Sequence, residues 1–311
     1  MLSMNNVMKR RSFLQGICGL AGVLGLPAGL PAAMKDSIAR RSIPSTAEQI
    51  PAIGLGSAYT FDVPAVGGKQ ENCTRIMQAF FDLGGGMIDS SPMYGRSELV
   101  IGTGLGEIKN HEGLFSATKV WIPGQLPGEL QMKHSMELWG LDSFDLIHVH
   151  NLVDWDVHLP WLREWKSEGR VRYVGVTTSH GRRHGELEEI LRTEPLDFVQ
   201  FTYNIEKRAA EQRLLPLARD HGIAVVINRP FERKGLFRAV RGKPLPDWAA
   251  EIDCANWAQF FLKFIISHPD VTCAIPATTN IDHLRENMGA LHGRLPDQAM
   301  RDRMAAYFAD L

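Results

Sequence analysis

The sequence predicts an α/β fold in which strands and helices alternate to form a (β/α)8 barrel of the TIM type. Eight short, almost continuously apolar segments alternate with helical patterns from residue 53 onward. Continuous apolar strands are typical of a parallel sheet covered on both faces, and eight strand–helix units close naturally into a barrel. The 311 residues suffice for one such barrel with short extensions.

The predicted strands are short apolar runs that end in polar or glycine-rich turns. The seventh is nearly all apolar, and the first runs directly into a glycine-rich turn. They cover residues 53–57, 87–90, 114–120, 144–150, 171–177, 198–203, 223–228 and 271–275.

The segments between the strands carry apolar residues at intervals of three or four, as on the buried face of a helix. Ile76, Phe80 and Leu83 show this spacing before Gly84 ends the pattern. A small hairpin over 42–49 is predicted before the barrel. The predicted helices cover residues 72–83, 98–106, 129–141, 161–168, 186–192, 211–221, 256–267 and 281–291, with an extra C-terminal helix over 296–311.

Residues 1–33 are predicted to be a twin-arginine export signal, and residues 34–311 the barrel domain. Arg10 and Arg11 precede Phe13-Leu14 and the glycine-rich apolar run 17–26. This run is shorter and richer in glycine than a membrane-spanning helix. An uncleaved N-terminal anchor is the alternative. The signal implies a bacterial origin, the twin-arginine translocation machinery as partner, a periplasmic location and no stable membrane insertion after processing.

The composition excludes some functions. The net charge is -1 and the pI about 6.8, which gives no electrostatic footprint for nucleic acid. Three cysteines follow the leader, Cys73, Cys254 and Cys273. Their irregular spacing predicts neither a disulfide framework nor a zinc site, so we expect buried, small apolar side chains.

Four polar residues follow three consecutive predicted strands. Asp89 and Tyr94 lie at and beyond the end of the second strand, Lys119 near the end of the third, and His150 at the end of the fourth. A lone Asp-x-x-x-x-Tyr would more often be a capping acid and a packed phenol. Together at the C-terminal ends of barrel strands, the four residues predict an active site.

These residues and their neighbours resemble the catalytic tetrad of the aldo-keto reductases. The similar segments are 88–98, with Asp89 and Tyr94, and 117–120, with Lys119. The resemblance runs from about residue 43 to 291. It implies an NAD(P)H-dependent oxidoreductase that reduces an aldehyde or ketone to an alcohol by hydride transfer. Tyr94 would be the general acid, assisted by Lys119, Asp89 and His150.

The proposed roles are chemically consistent. A tyrosine is a weak acid, with an ordinary pKa of about 10. A neighbouring ammonium such as Lys119 favours the phenolate and lowers that pKa, and Asp89 can keep Lys119 charged and oriented. His150 can donate a hydrogen bond to the substrate oxygen and orient the substrate.

The resemblance also predicts a nicotinamide cofactor and favours NADP(H) over NAD(H). Gln200 matches the family's carboxamide-binding glutamine, whereas 177–178 are Thr-Thr in place of the family's Ser-Asn. Ala277 and His283 replace the Lys and Arg that grip the 2′-phosphate in some members, and Arg229 could meet the pyrophosphate. The predicted cofactor-binding residues are Gly56, Ser57, Thr177, Thr178, Gln200, Asn228, Arg229, Pro230, Thr278, Thr279, His283, Glu286 and Asn287.

The substrate pocket is predicted to be open, because the chain after the eighth helix is too short for the long C-terminal loop of some members. Tyr59, Trp121 and Asn151 are its predicted lining, and a small carbonyl compound its predicted occupant.

Two other functions stay open on the sequence. A nucleotide-binding sensor or regulatory subunit, as the potassium-channel β subunits are, would keep the same residues. A metal-dependent barrel hydrolase could use His148 and His150, which point to the same side of their strand. Because the other strand ends offer mainly hydroxyl and amide groups, we predict no metal.

Overall fold

The computed structural model describes residues 38–311. The predicted export signal over residues 1–33 lies outside the described residues, so the signal and the domain boundary after it stay predictions. Within the described range, no helix is both long and apolar enough to cross a membrane.

A small hairpin precedes the barrel, as predicted. Its strands β1 (Arg40–Ser42) and β2 (Gln49–Pro51) pair antiparallel. Ile43 and Ile50 are buried in the same cluster as the side chains inside the barrel. The hairpin therefore closes the N-terminal end of the barrel.

Eight parallel strands form one sheet in which each strand neighbours the next along the chain. The sheet meets itself where Ile53 bridges Ala274 and the Gly56 amide donates to the Pro276 oxygen at 3.0 Å. The strands are β3 (Leu55–Gly56), β4 (Met87–Asp89), β5 (Phe115–Val120), β6 (Phe144–His150), β7 (Val171–Thr177), β8 (Phe198–Thr202), β9 (Ala224–Asn228) and β10 (Cys273–Ala274).

Helices follow the strands in the alternating order of a (β/α)8 barrel, which confirms the predicted fold. The last helix is the predicted C-terminal addition. In the described range the α-helices are α1 (Gly68–Asp82), α2 (Ser97–Glu107), α3 (Gln125–Trp139), α4 (Trp155–Ser167), α5 (His184–Thr193), α6 (Leu214–Asp220), α7 (Gly235–Ala239), α8 (Trp257–Ile266), α9 (Ile281–Gly289) and α10 (Gln298–Ala309).

The segment between β9 and α8 contains structure that the sequence pattern did not predict. It holds the short helix α7 and 3₁₀ turns at Glu232–Lys234 and Asp247–Ile252. Arg229, Glu232, Arg233 and Lys234 have φ angles between 46° and 71°, although none is glycine. Such left-handed residues are uncommon and depend on contacts with the rest of the fold.

The barrel interior changes from apolar to polar along the strands. Met87, Phe115 and Leu146 belong to its buried apolar cluster. Since alternate strand residues face the same side, the same inward-facing rows continue to polar residues near the C-terminal ends. These residues are Asp89, Lys119, His150 and Gln200.

Candidate active site

Lys119 and Asp89 form a buried ion pair at the C-terminal end of the barrel. The Lys119 ammonium donates to Asp89 Oδ1 at 2.6 Å and to the Ser90 carbonyl at 2.7 Å, and its side chain is fully buried. Burial acts to lower the pKa of Lys119, but Asp89 and then Tyr94 outweigh it, so the pKa is raised. Lys119 is therefore a charged group held inside the protein.

Tyr94 lies in the turn after β4, next to that cation. Its ring centroid is 5.2 Å from Lys119 Nζ, and its amide donates to the Ser91 carbonyl at 2.9 Å. Removal from water raises the pKa of Tyr94, Lys119 opposes this, and Asp89 adds to it, so the net pKa is raised. Lys119 therefore acts in the predicted direction, but desolvation outweighs the ammonium.

His150 ends β6 and faces the same space. Its ring stands edge-on to the Tyr94 ring at 5.8 Å, and Trp121 lies 6.3 Å away on another side. Burial, and then the Lys119 charge, lower the pKa of His150 to about 3. His150 is therefore a neutral imidazole at physiological pH.

Gln200 connects the predicted catalytic and cofactor-binding groups. Its amide nitrogen donates to Asp89 Oδ2 at 3.0 Å, and its oxygen accepts from Thr177 Oγ1 at 3.2 Å. The Asn228 amide donates to the Thr178 carbonyl at 2.9 Å and approaches the Gln200 oxygen at 3.4 Å. The structure thus brings five of the predicted residues into one polar network.

Thr178 has a buried hydroxyl for which residues 38–311 offer no hydrogen-bond partner. Buried polar groups are normally paired, so this atom suits a bound ligand with a complementary group. It lies at the end of β7, where the resemblance predicts the nicotinamide carboxamide.

Gly56 and Ser57 lie where β3 ends beside β10. A Cβ atom at Gly56 would be 2.8 Å from the Ile275 oxygen, so only glycine fits this approach. The Ser57 hydroxyl bonds the Asp89 carbonyl at 2.9 Å and the Ser90 hydroxyl at 2.8 Å. Gly56 therefore lets β3 approach the chain after β10, and Ser57 connects the end of β3 to the end of β4.

The predicted adenosine-phosphate residues lie apart, in the loop before α9 and along α9 itself. Thr278 and Asn287 are buried, whereas Thr279 and His283 are exposed and Glu286 is half-buried. Within the described chain, no side-chain hydrogen bond links this group to the tetrad. Asn280 caps α9 by accepting from the amides of Asp282 and His283 at 2.7 and 3.3 Å.

Arg229 is already engaged by protein groups. It donates to His180 Nε2 at 2.7 Å and to Glu232 at 2.9 Å. Pro230, beside it, is buried. A pyrophosphate contact by Arg229 would thus compete with these bonds, which involve residues the sequence analysis had not connected to it.

The three predicted substrate residues line different parts of the rim. Trp121 lies beside His150. Asn151 follows His150 in the sequence, and the Asn151 side-chain oxygen is 3.5 Å from the Ser179 hydroxyl. Tyr59 is 75% exposed and accepts a hydrogen bond from Arg233 at 2.5 Å. The Trp121 ring packs against the His150 ring with the two planes tilted by 57°.

His148 is fully buried below His150, next to Gly175, and neither ring nitrogen has a hydrogen-bond partner among the described residues. Burial, Lys119 and His150 hold its pKa well below the ordinary value. In the same range, no group of three metal-ligating side chains occurs. The structure therefore offers the hydrolase alternative no ligand set.

Sequence reasoning gave no role to Glu98 or Ser91. Glu98 is buried behind β5 and accepts from Thr118 at 2.5 Å, Ser135 at 2.9 Å and Trp139 at 3.2 Å; burial raises its pKa. It fixes the residue next to Lys119. Its one sequence signal was an acid three residues after Gly95.

The chain matches the model of the aldo/keto reductase family over residues 52–306. The chain belongs to this family. A similar relative is the NADH-specific methylglyoxal reductase of Escherichia coli, which is 25% identical over 303 residues, covering 79% of this chain and 89% of the relative. The chain is thus an NAD(P)H-dependent enzyme of the aldo/keto reductase family.

Solved aldo-keto reductases share the fold. One from Klebsiella pneumoniae, in complex with NADP and acetate, has a TM-score of 0.70 at 22% identity, covering 84% of this chain and 93% of its own. A thermostable aldo-keto reductase in complex with the inhibitor epalrestat has a TM-score of 0.70 at 26% identity, covering 86% and 99%.

Proposed function

We propose that the protein reduces an aldehyde or ketone to an alcohol, with Tyr94 as general acid and Lys119, Asp89 and His150 as its assistants. The observation that carries this proposal is the buried Lys119 cation, which lies between Asp89 and the Tyr94 ring. A buried ammonium beside a phenol stabilises the phenolate that is left when the phenol donates its proton.

The raised pKa of Tyr94 suits an acid. At neutral pH the phenol keeps its proton until the substrate oxygen needs it. As that oxygen develops negative charge, Tyr94 gives up the proton, and the Lys119 ammonium stabilises the phenolate that remains. Asp89 keeps Lys119 in place through the 2.6 Å contact.

His150 acts as a neutral hydrogen-bond donor to the same oxygen. Because its pKa is about 3, it cannot compete with Tyr94 as a proton source above that pH. It orients the carbonyl so that one face is open to the cofactor.

A nicotinamide nucleotide would supply the hydride. Thr178 and Gln200 fit its carboxamide, since the Thr178 hydroxyl lacks a partner within residues 38–311. Thr278, Glu286 and Asn287 would hold the adenosine end. We propose NADP(H) rather than NAD(H), a choice supported by solved neighbours bound to NADP or NADPH. Comparing the dissociation constants of NADPH and NADH tests it, and tighter NADH binding would reject it.

The test of the reaction is NADPH consumption with a reactive aromatic aldehyde, in the native protein and in Tyr94→Phe. The native protein should turn over. The variant should lose about 100-fold or more in rate, the scale of general acid catalysis, while it binds NADPH as before. Equal turnover in the two proteins would remove Tyr94 from the mechanism.

We also propose that the protein is exported folded to the periplasm of a bacterium by the twin-arginine machinery. The support is the Arg10-Arg11 pair ahead of a mild apolar run. Fractionation of cells that express the native chain and an Arg10→Lys, Arg11→Lys variant tests it. The native protein should be periplasmic and the variant retained inside, whereas retention of both would refute export.

A further inference from the structure

Ser91 forms the one side-chain hydrogen bond that His150 makes within residues 38–311. Its Oγ lies 2.9 Å from His150 Nδ1, and both residues are buried. Ser91 starts the turn that carries Tyr94, so one turn supplies both the acid and the neighbour of the histidine. His150 Nε2 bonds none of the described residues and is left for the substrate.

The direction of the Ser91–His150 bond follows from counting protons. The Ser91 oxygen already accepts from the Met93 amide at 3.2 Å. If Nδ1 carried the ring proton, Ser91 Oγ would have to accept a second time. Its own hydroxyl proton would then find no other acceptor in the described chain, and an unpaired buried donor is costly.

The opposite arrangement satisfies every group. The Ser91 hydroxyl donates to Nδ1, Oγ accepts from Met93, and the single proton of the neutral imidazole resides on Nε2. The ring plane needs no further support, because Tyr94 and Trp121 pack against it at 5.8 and 6.3 Å.

We infer that Ser91 is a positioning residue that fixes His150 in the tautomer with its proton on Nε2, from which His150 donates to the substrate carbonyl. The inference rests on the proposed reduction for its consequence, but not for the tautomer itself. Fixing a histidine tautomer through its second nitrogen is a general device of enzyme sites.

The tautomer can be measured directly by NMR of the histidine ring nitrogens, with His150 assigned from a His150→Gln variant. In the native protein, Nε2 should be protonated and Nδ1 unprotonated. Ser91→Ala should show a mixture of the two tautomers, and Ser91→Thr, which keeps a hydroxyl, should restore the native pattern. A proton on Nδ1 in the native protein would overturn the inference without any variant.

Kinetics supply the second readout. Ser91→Ala should lower kcat/KM for the carbonyl about 10- to 100-fold, the scale known for losing the hydrogen-bond partner of a metal-bound histidine, with NADPH affinity unchanged. Ser116→Ala, which removes a buried hydroxyl that donates to Asp145 at 2.9 Å, controls for lost stability. Native turnover and native tautomer in Ser91→Ala would refute the role. If the native protein reduced no carbonyl, the proposed function would fail while the NMR result still decided the tautomer.

Discussion

Lys119 has its ammonium where water is excluded, and Asp89, the Ser90 carbonyl and Tyr94 compensate for this. Removing one member of a buried ion pair leaves the other charged and unpaired, which costs about 3–5 kcal/mol. We therefore expect Lys119→Met to lower the free energy of unfolding by this amount, measured by urea denaturation, besides abolishing turnover.

The double variant Asp89→Asn, Lys119→Met is the matched control for that prediction. It carries no uncompensated charge, so it should recover much of the stability while remaining inactive. Equal losses in the single and double variants would mean that the pair is not electrostatically coupled.

The positions of the tetrad residues were predictable from the sequence, whereas their electrostatic surroundings were not. Asp89, Tyr94, Lys119 and His150 were predictable because strand ends of one barrel meet at one rim. The net pKa of Tyr94 was not, because the desolvation that raises it comes from residues distant in sequence. The engagement of Arg229 by His180 was hidden for the same reason.

At the scale of elements, α2 and α3 approach unusually closely at Gly102. A Cβ atom there would overlap the backbone oxygen of Leu138. Gly102→Ala should therefore destabilise the fold by about 1–3 kcal/mol, as overpacking does. Gly106 lies in the same helix with open space around it, so Gly106→Ala should instead gain a few tenths to about 1 kcal/mol. Urea denaturation of both variants checks this, and the same sign in both would contradict it.

Strand β6 gives the fold a pH dependence. His148 and His150 are buried neutral, with pKa values held below that of an unfolded histidine. The unfolded chain therefore binds more protons below about pH 6.5, so stability falls as the pH is lowered from there, and for His150 this loss continues to about pH 3. Each residue contributes up to about 1.4 kcal/mol per pH unit. His148→Leu should flatten the dependence of unfolding free energy on pH, and an unchanged slope would refute burial of a neutral His148.

At the scale of the whole molecule, nucleotide binding should stabilise the fold, since the predicted ligands come from β3, β7, β8 and α9. NADPH at 100 times its dissociation constant should add about 2.7 kcal/mol, seen as a higher midpoint of thermal unfolding. Thr178→Val should leave the stability of the cofactor-free protein nearly unchanged, because it removes a hydroxyl without a protein partner within the described chain, but reduce the gain from NADPH. An equal gain in the variant would exclude a contact from Thr178.

The barrel itself was predictable because eight apolar strands and eight amphipathic helices repeat one simple pattern. The segment between β9 and α8 was not, because its left-handed residues follow no periodicity and depend on distant contacts. The short β3 and β10 were predicted as longer strands, since apolar composition does not reveal where pairing stops.

The junction between those two short strands has a consequence for cofactor loading. β3 and β10 are two residues each; Gly56 and Ser57 lie at the end of β3, and Thr278 lies in the loop after β10. This seam should exchange its amide protons faster than the rest of the barrel, because few ladder bonds protect it. A nucleotide that spans the seam would slow this exchange, so hydrogen exchange at these amides would report whether a given molecule has bound its cofactor.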